Sequence, residues 1–382
     1  MQLSRDTSGY ITAPGLIDIH VHFREPGFEY KEDILSGSLA AAAGGFTTCC
    51  CMPNTSPVAD NAETVNYITE KSKKAVIEVL PIAAVTIGQQ GEQLTNFASL
   101  KKAGAVALSD DGIPIKDEKI MRAALISAKE NDMLIISHCE DEEEMAARDV
   151  KLAAELGARI HIAHISTAET VDIIRRAKAA GVKVTAETAP HYFSLTSEEV
   201  SKQGANACMN PPLRTQSDVE AIIEGLCDGT IDVIATDHAP HSISEKALPV
   251  GKAPNGIIGL ETSLAVTLTY LYHTGILSLE RIIELMSVNP GKILGLDKSE
   301  SVAADFSILG APATVTEQPK IEKGVVTLSD YIIFYPDEEW IVDPSTFKSK
   351  SRNTPFAGMK LRGKVKQTVV GGKVVYEVER KY

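Results

Sequence analysis

The stretch "GLIDIHVHFREPG", Gly15 to Gly27, carries two histidines one residue apart at the end of a largely apolar run, then turns abruptly at Arg24, Pro26 and Gly27. Such a run reads as a strand buried on both faces. Residues i and i+2 of a strand project the same way, so His20 and His22 form a two-toothed clamp on one face. Taken alone, the pair is as readily one hydrogen-bonded core histidine and one solvent-facing histidine. The rest of the chain decides between the two.

Seven further runs of this kind follow: "FTTCCCM", "VIEVLPIAAV", "AVALS", "MLIISH", "RIHIAHI", "VKVTAET" and "DVIATD". Between them lie amphipathic segments such as "DEKIMRAALISAKEN" and "TAETVDIIRRAKAAG", whose apolar residues recur at three and four; several end in glycine, as helix C-caps do. Eight runs alternating with helices predict an α/β fold, a (β/α)8 TIM barrel over residues 15–299. A doubly wound open sheet competes, but its Gly-rich phosphate turn after the first strand is missing. From about residue 300, "DYIIFYPDEEWIVD" and "KVKQTVVGGKVVYEVE" read as strands with a Gly-Gly turn and no intervening helix. Residues 1–14 and 300–382 are therefore expected to form a small appended β-sandwich subdomain.

Composition narrows the function. At 44% hydrophobic and 23% charged, the 382 residues fit a globular protein with a sizeable core. A net charge of −13 argues against nucleic acid, which needs a basic face. No apolar run reaches the length of a membrane span, and no basic-then-apolar leader opens the chain, so a soluble cytoplasmic protein is expected. The six cysteines, three of them consecutive at Cys49 to Cys51, lack the CxxC spacing of zinc or redox motifs and read as reduced, structural residues.

The decisive pattern lies at the strand ends. His138 ends "MLIISH", His164 ends "RIHIAH", Asp237 ends "DVIATD" and Asp111 follows "AVALSD". In a barrel these ends share one face, where active sites of this fold are built, so His20, His22, Asp111, His138, His164 and Asp237 would converge there. Imidazole and carboxylate together suit zinc or another divalent first-row metal. Such a site activates water for attack on an amide-like carbon, with Asp237 as the proton carrier. Arg24, Asn54 in "MPNTSP" and His241 in "TDHAPH" add groups suited to a carboxylate. Each has an ordinary alternative, as a surface ion pair, a turn asparagine or a loop histidine. His161, earlier on the strand of His164, is expected to share its inward direction but to lie a layer deeper as a packed or supporting residue.

Together "DIHVHFREPG", "MPNT", "SDDG", "SHCED", "AHIST", "NPPLR", "TDHAPH" and "APNGIIGLET" resemble dihydroorotase of the amidohydrolase superfamily over residues 12 to 300, with "NTPFAGMKLRGKV" and "GGKVVYE" extending the match. The resemblance implies reversible, zinc-dependent cyclisation of N-carbamoyl-L-aspartate to L-dihydroorotate, in pyrimidine synthesis. It implies one or two zinc ions: His20 and His22 on the more buried ion, His138 and His164 on the second, Asp237 as ligand and general acid/base. It places Arg24, Asn54 and His241 on the substrate carboxylate, with Asn210 and the backbone near Gly256 close to the ring. A homodimer and an association with aspartate carbamoyltransferase are further expectations from it.

The chain departs from the family in places. Where many relatives carry a carbamylated lysine after the fourth strand, this chain has Asp111, as in one dihydroorotase branch. Only "MQLSRDTSGYITAPG" precedes the first barrel strand, so residues 302–328 are expected to supply strands in place of missing ones. The connection from "HCED" to "RIHIAH" is shorter than in many relatives, removing surface near the site's mouth. Two rival readings are a hydantoinase or allantoinase, whose neutral ring needs no carboxylate clamp, and a catalytically weak relative serving the transferase as partner.

Overall fold

The computed structural model describes residues 3–5, 9–296 and 329–378. Eight short parallel strands stand in chain order: β3 (Leu16–Val21), β4 (Phe46–Cys51), β5 (Glu78–Ala83), β6 (Ala107–Leu108), β7 (Ile135–Ser137), β8 (Ile160–Ile162), β9 (Val184–Thr188) and β10 (Val233–Ile234). They are preceded by β1 (Ser4–Arg5) and β2 (Ile11–Pro14), which belong to a second sheet. The apolar runs become strands because both faces are covered. Ile19, Cys50, Ile82, Ala107, Ile136 and Val233, from six different strands, join one buried cluster. The ring closes at a single parallel bridge between Val21 and His238, where the His22 N–H donates to the His238 carbonyl at 2.8 Å. This is the (β/α)8 barrel expected from the eight runs.

The helices fall where the periodicity placed them, including Glu118–Glu130, Glu142–Leu156 and Ala168–Ala179. Helix Ile34–Gly44 shows how its ends are fixed. Asp33 and Ser36 cap its first amides reciprocally, and Gly45, at φ 90°, donates back to Ala41 and Ala42. Helix Glu142–Leu156 alone spans the short connection between β7 and β8. None of the six cysteines is in a disulfide; Cys49, Cys50 and Cys51 are buried in β4, and burial pushes the Cys51 thiol up to about 12.

The second sheet is antiparallel, in the order β1, β2, β11 (Tyr331–Ile341), β12 (Lys360–Val370) and β13 (Lys373–Glu377). The Gly371-Gly372 turn has φ of 55° and 73°, the left-handed pair that a two-residue hairpin between twisted strands requires. The sheet seats on the barrel through Thr368 Oγ1, which donates to the Ala42 carbonyl at 2.7 Å. The expected contribution of residues 302–328, and the boundary between 299 and 300, lie outside the described residues. No helix among the described residues is long and apolar enough to cross a membrane.

Candidate metal centre

The six strand-end residues meet. His20, His22 and Asp111, then His20, His164 and Asp237, then Asp111, His138 and His164 each bring their donor atoms within 4.8 Å of one another. None of the six is more than 5% exposed. Asp111 is central: its Oδ1 lies 3.3 Å from His20 Nε2, 3.3 Å from His138 Nδ1 and 3.6 Å from His164 Nε2, and its Oδ2 lies 3.4 Å from His22 Nε2. Asp237 Oδ1 lies 3.1 Å from His22 Nε2 and 3.5 Å from His20 Nε2.

The backbone bends to achieve this. Of five non-glycine residues with positive φ among those described, three belong to the site: Arg24 at 62°, His164 at 33° and Asp237 at 47°. Strand alternation alone would send His161 and His164 to opposite faces. The left-handed turn at His164 brings both inward, and each such conformation costs on the order of 1–3 kcal/mol. His161 stays deeper, with Nδ1 2.8 Å from Thr185 Oγ1 and Nε2 3.2 Å from Glu187 Oε2.

Four residues absent from the sequence reading complete the centre. Glu187, on β9, accepts from His20 Nδ1 at 2.5 Å with its other oxygen, which fixes His20 with Nε2 toward the aspartates. Burial opposes charge on Glu187, but His20 and His161 hold it well below the usual carboxylate range. Asp18 accepts from the amides of His20 and Thr236, tying the first strand to the last; burial raises it to about 7. His238 accepts from the Gly259 and Leu260 amides through Nδ1. Asn353, on the connection between β11 and β12, hydrogen-bonds the loop bearing His241. Glu187 is the penultimate residue of the run "VKVTAET", one position short of the strand end, so the strand-end rule that found Asp237 passes over it.

Whether these residues suit a divalent cation is answered by atoms left without partners. His20 Nε2 and Asp111 Oδ1 are buried, 3.3 Å apart, and neither makes a hydrogen bond. His138 Nδ1 and His164 Nε2 face each other at 2.7 Å, a contact in which only one ring can donate. Unpartnered buried polar atoms are costly, and a cation among them satisfies them all. Burial works against a proton on His20, yet Asp237, Asp111 and Glu187 push its pKa well above the ordinary value. The pocket is thus short of positive charge, and its donor set fits a metal.

Beside it lies a cationic corner. Arg24 donates from Nε to the Pro240 carbonyl at 3.2 Å and brings Nη2 to 3.5 Å from His241 Nε2. His241 Nε2 lies 2.8 Å from the Asn255 carbonyl, and its Nδ1 lies 3.4 Å from Lys31 Nζ. Burial, with Arg24, Lys31 and Lys246 nearby, lowers His241 to about 3, so it is a neutral donor at ordinary pH. Gly256, at φ 151°, has no room for a side chain: a Cβ would stand 2.6 Å from the Ala239 carbonyl oxygen. Asn54 sits toward the metal cluster, its Oδ1 accepting from His22 Nδ1 at 2.9 Å and its Nδ2 3.5 Å from Asp111 Oδ2. Asn210 is half-buried in the loop before Pro211.

A parallel barrel with four histidines and two aspartates at its mouth has the architecture of a metal-dependent amidohydrolase. Solved structures agree on the fold. L-hydantoinase (dihydropyrimidinase) from Arthrobacter aurescens superposes with a TM-score of 0.81 at 25% identity, covering 98% of this chain and 87% of that one. Dihydropyrimidinase from Brevibacillus agri NCHU1002 gives 0.79 at 22%, covering 97% and 85%. A family model described as dihydro-orotase-like matches residues 9–188. The dihydroorotase of Clostridioides difficile (strain 630) is 47% identical, over 97% of this chain and 89% of that protein. That of Caldanaerobacter subterraneus subsp. tengcongensis is 44% identical, over 99% and 89%. The chain belongs to the dihydroorotase family and is a cyclic amide hydrolase.

Proposed function

We propose that this enzyme interconverts L-dihydroorotate and N-carbamoyl-L-aspartate by opening and closing one ring amide. The observation that carries this reading over a hydantoinase is the corner formed by Arg24 and His241 next to the metal centre. A carboxylate there gains charge-assisted hydrogen bonds, whereas a neutral ring offers the guanidinium no charged partner.

His20, His22, Asp111, His138, His164 and Asp237 would hold zinc, for which four imidazoles and two carboxylates are suited. The three ligand groups overlap at His20, Asp111 and His164, so the donor set would take one or two ions. Bound zinc supplies Lewis acidity, which lowers the pKa of a water and polarises a carbonyl. Arg24 and His241 fix the substrate carboxylate, presenting the ring carbonyl to the centre. Asp237 takes the proton from the attacking water and gives it to the departing ring nitrogen; in closure the same carboxyl runs in reverse. Glu187 and Asn54 hold the imidazoles of His20 and His22, each through the nitrogen turned away from the ligands.

The direct test is turnover of L-dihydroorotate with and without a chelator, beside a neutral hydantoin. Chelator-sensitive hydrolysis of the carboxylate substrate at far higher kcat/KM is the expected result; preference for the hydantoin would overturn the reading. Arg24→Met should retain metal and lose about 2–3 kcal/mol of carboxylate recognition, roughly 30- to 150-fold in kcat/KM. An unchanged kcat/KM would remove Arg24 from the pocket.

A further inference from the structure

The motif "NTPFAG" lies on the small sheet, between β11 and β12, and the proposed chemistry leaves it without a task. Its first residue, Asn353, is 2% exposed and reaches into the barrel's mouth. Asn353 Oδ1 accepts from the His241 amide at 3.1 Å. Its Nδ2 donates to the Ala239 carbonyl at 2.9 Å and to the Gly256 carbonyl at 3.0 Å, and its own carbonyl accepts from the Ile258 amide at 3.0 Å. One buried side chain thus joins the two loops that carry His241 and Gly256.

The rest of that connection is strapped to the loop after the first barrel strand. Ser349 Oγ donates to Glu32, the Lys350 amide donates to Glu32 at 3.2 Å, and Ser351 Oγ donates to the Lys31 carbonyl at 2.8 Å. None of these groups is a member of the metal cluster. The small sheet therefore grips the cationic corner and leaves the ligands to the barrel.

We propose that Asn353 is a positioning residue for the carboxylate subsite: it sets the spacing of the His241 and Gly256 loops, and through it the small sheet governs substrate affinity. This rests on the reading of the Arg24–His241 corner as the place of the substrate carboxylate. Gly256 makes the spacing critical, since no Cβ fits between it and Ala239. The loops also touch directly, the Ala239 amide donating to the Ile257 carbonyl at 2.9 Å and His241 Nε2 lying 2.8 Å from the Asn255 carbonyl, so loss of the amide bridge shifts their spacing rather than separating them. Recognition geometry is sensitive to displacements on the order of 1 Å.

Asn353→Asp tests this with little change of shape. It keeps an acceptor for His241 but opposes a carboxylate to two carbonyls; Asn353→Ala removes the bridge altogether. Both variants and the parent are assayed for bound zinc, far-UV circular dichroism, and kcat and KM toward L-dihydroorotate. A KM raised roughly tenfold or more, with kcat within about threefold and zinc retained, is the expected outcome. Unchanged KM, or kcat falling with KM constant, overturns the assignment while parental turnover leaves the proposed function standing. Loss of zinc or of the folded state in both variants makes Asn353 a purely structural residue and likewise overturns it. A parent that does not turn over L-dihydroorotate defeats the function first, and this proposal with it.

Discussion

His20→Ala should empty the metal centre and bring ring hydrolysis down by at least about 10⁴-fold, because metal-assisted attack supplies much of an acceleration that in enzymes is typically 10⁶-fold or greater. His20 is a member of two of the three ligand groups, so its loss strips a donor from both. It also leaves buried Glu187 with His161 as its remaining imidazole partner, so the carboxylate is less well compensated. Zinc content by elemental analysis and kcat/KM should fall together. Retention of both would show that the cluster is not the metal site. His161→Gln is the matched control: the residue is equally buried and touches Glu187, but it stands outside the ligand groups, so bound zinc should stay.

Asp237→Asn separates holding the metal from moving the proton. The amide keeps one oxygen to face His22, so zinc should largely remain, but it cannot accept a proton from water. Turnover should fall by roughly 10²–10⁴-fold, the usual scale for losing a general acid/base. The same loss is expected in ring opening and in ring closure, since one group serves both. A variant that hydrolyses L-dihydroorotate at the parental rate would place the proton carrier elsewhere.

The barrel was legible because its strands are covered on both sides and so spell out as apolar runs, which turn-rich or half-exposed strands do not. The convergence of the six strand-end residues was legible through one rule, that polar residues ending such strands share a mouth, and the distances around Asp111 follow from it. What stayed hidden has a common physical cause. Glu187 and Asp18 are acids inside apolar runs, and their roles depend on partners, His20, His161 and Thr236, that only the fold brings to them. The left-handed turn at His164 occurs without the glycine that usually announces one. Asn353 finds its partners 112 and 97 residues away, beyond the reach of any local pattern.

The closing junction of the barrel has a consequence for how the protein endures. Among the described residues its first and last strands share one β-bridge, at Val21 and His238, besides the tie from the Thr236 amide to Asp18, and beside that bridge His22 and Asp237 face each other across 215 residues of chain. A hoop with one weak stave parts there first. Any cation gripping both residues buckles the hoop at its thinnest point, and its binding free energy is added to the cost of opening. Resistance to heat and to proteolytic nicking should then follow the supply of metal. Amide exchange at His22, whose N–H crosses the junction, should slow as zinc is added while exchange in the distant strand β13 is unaffected. Scarcity of the ion would register as a loosening of the barrel at its joint, in idle enzyme as much as in enzyme at work.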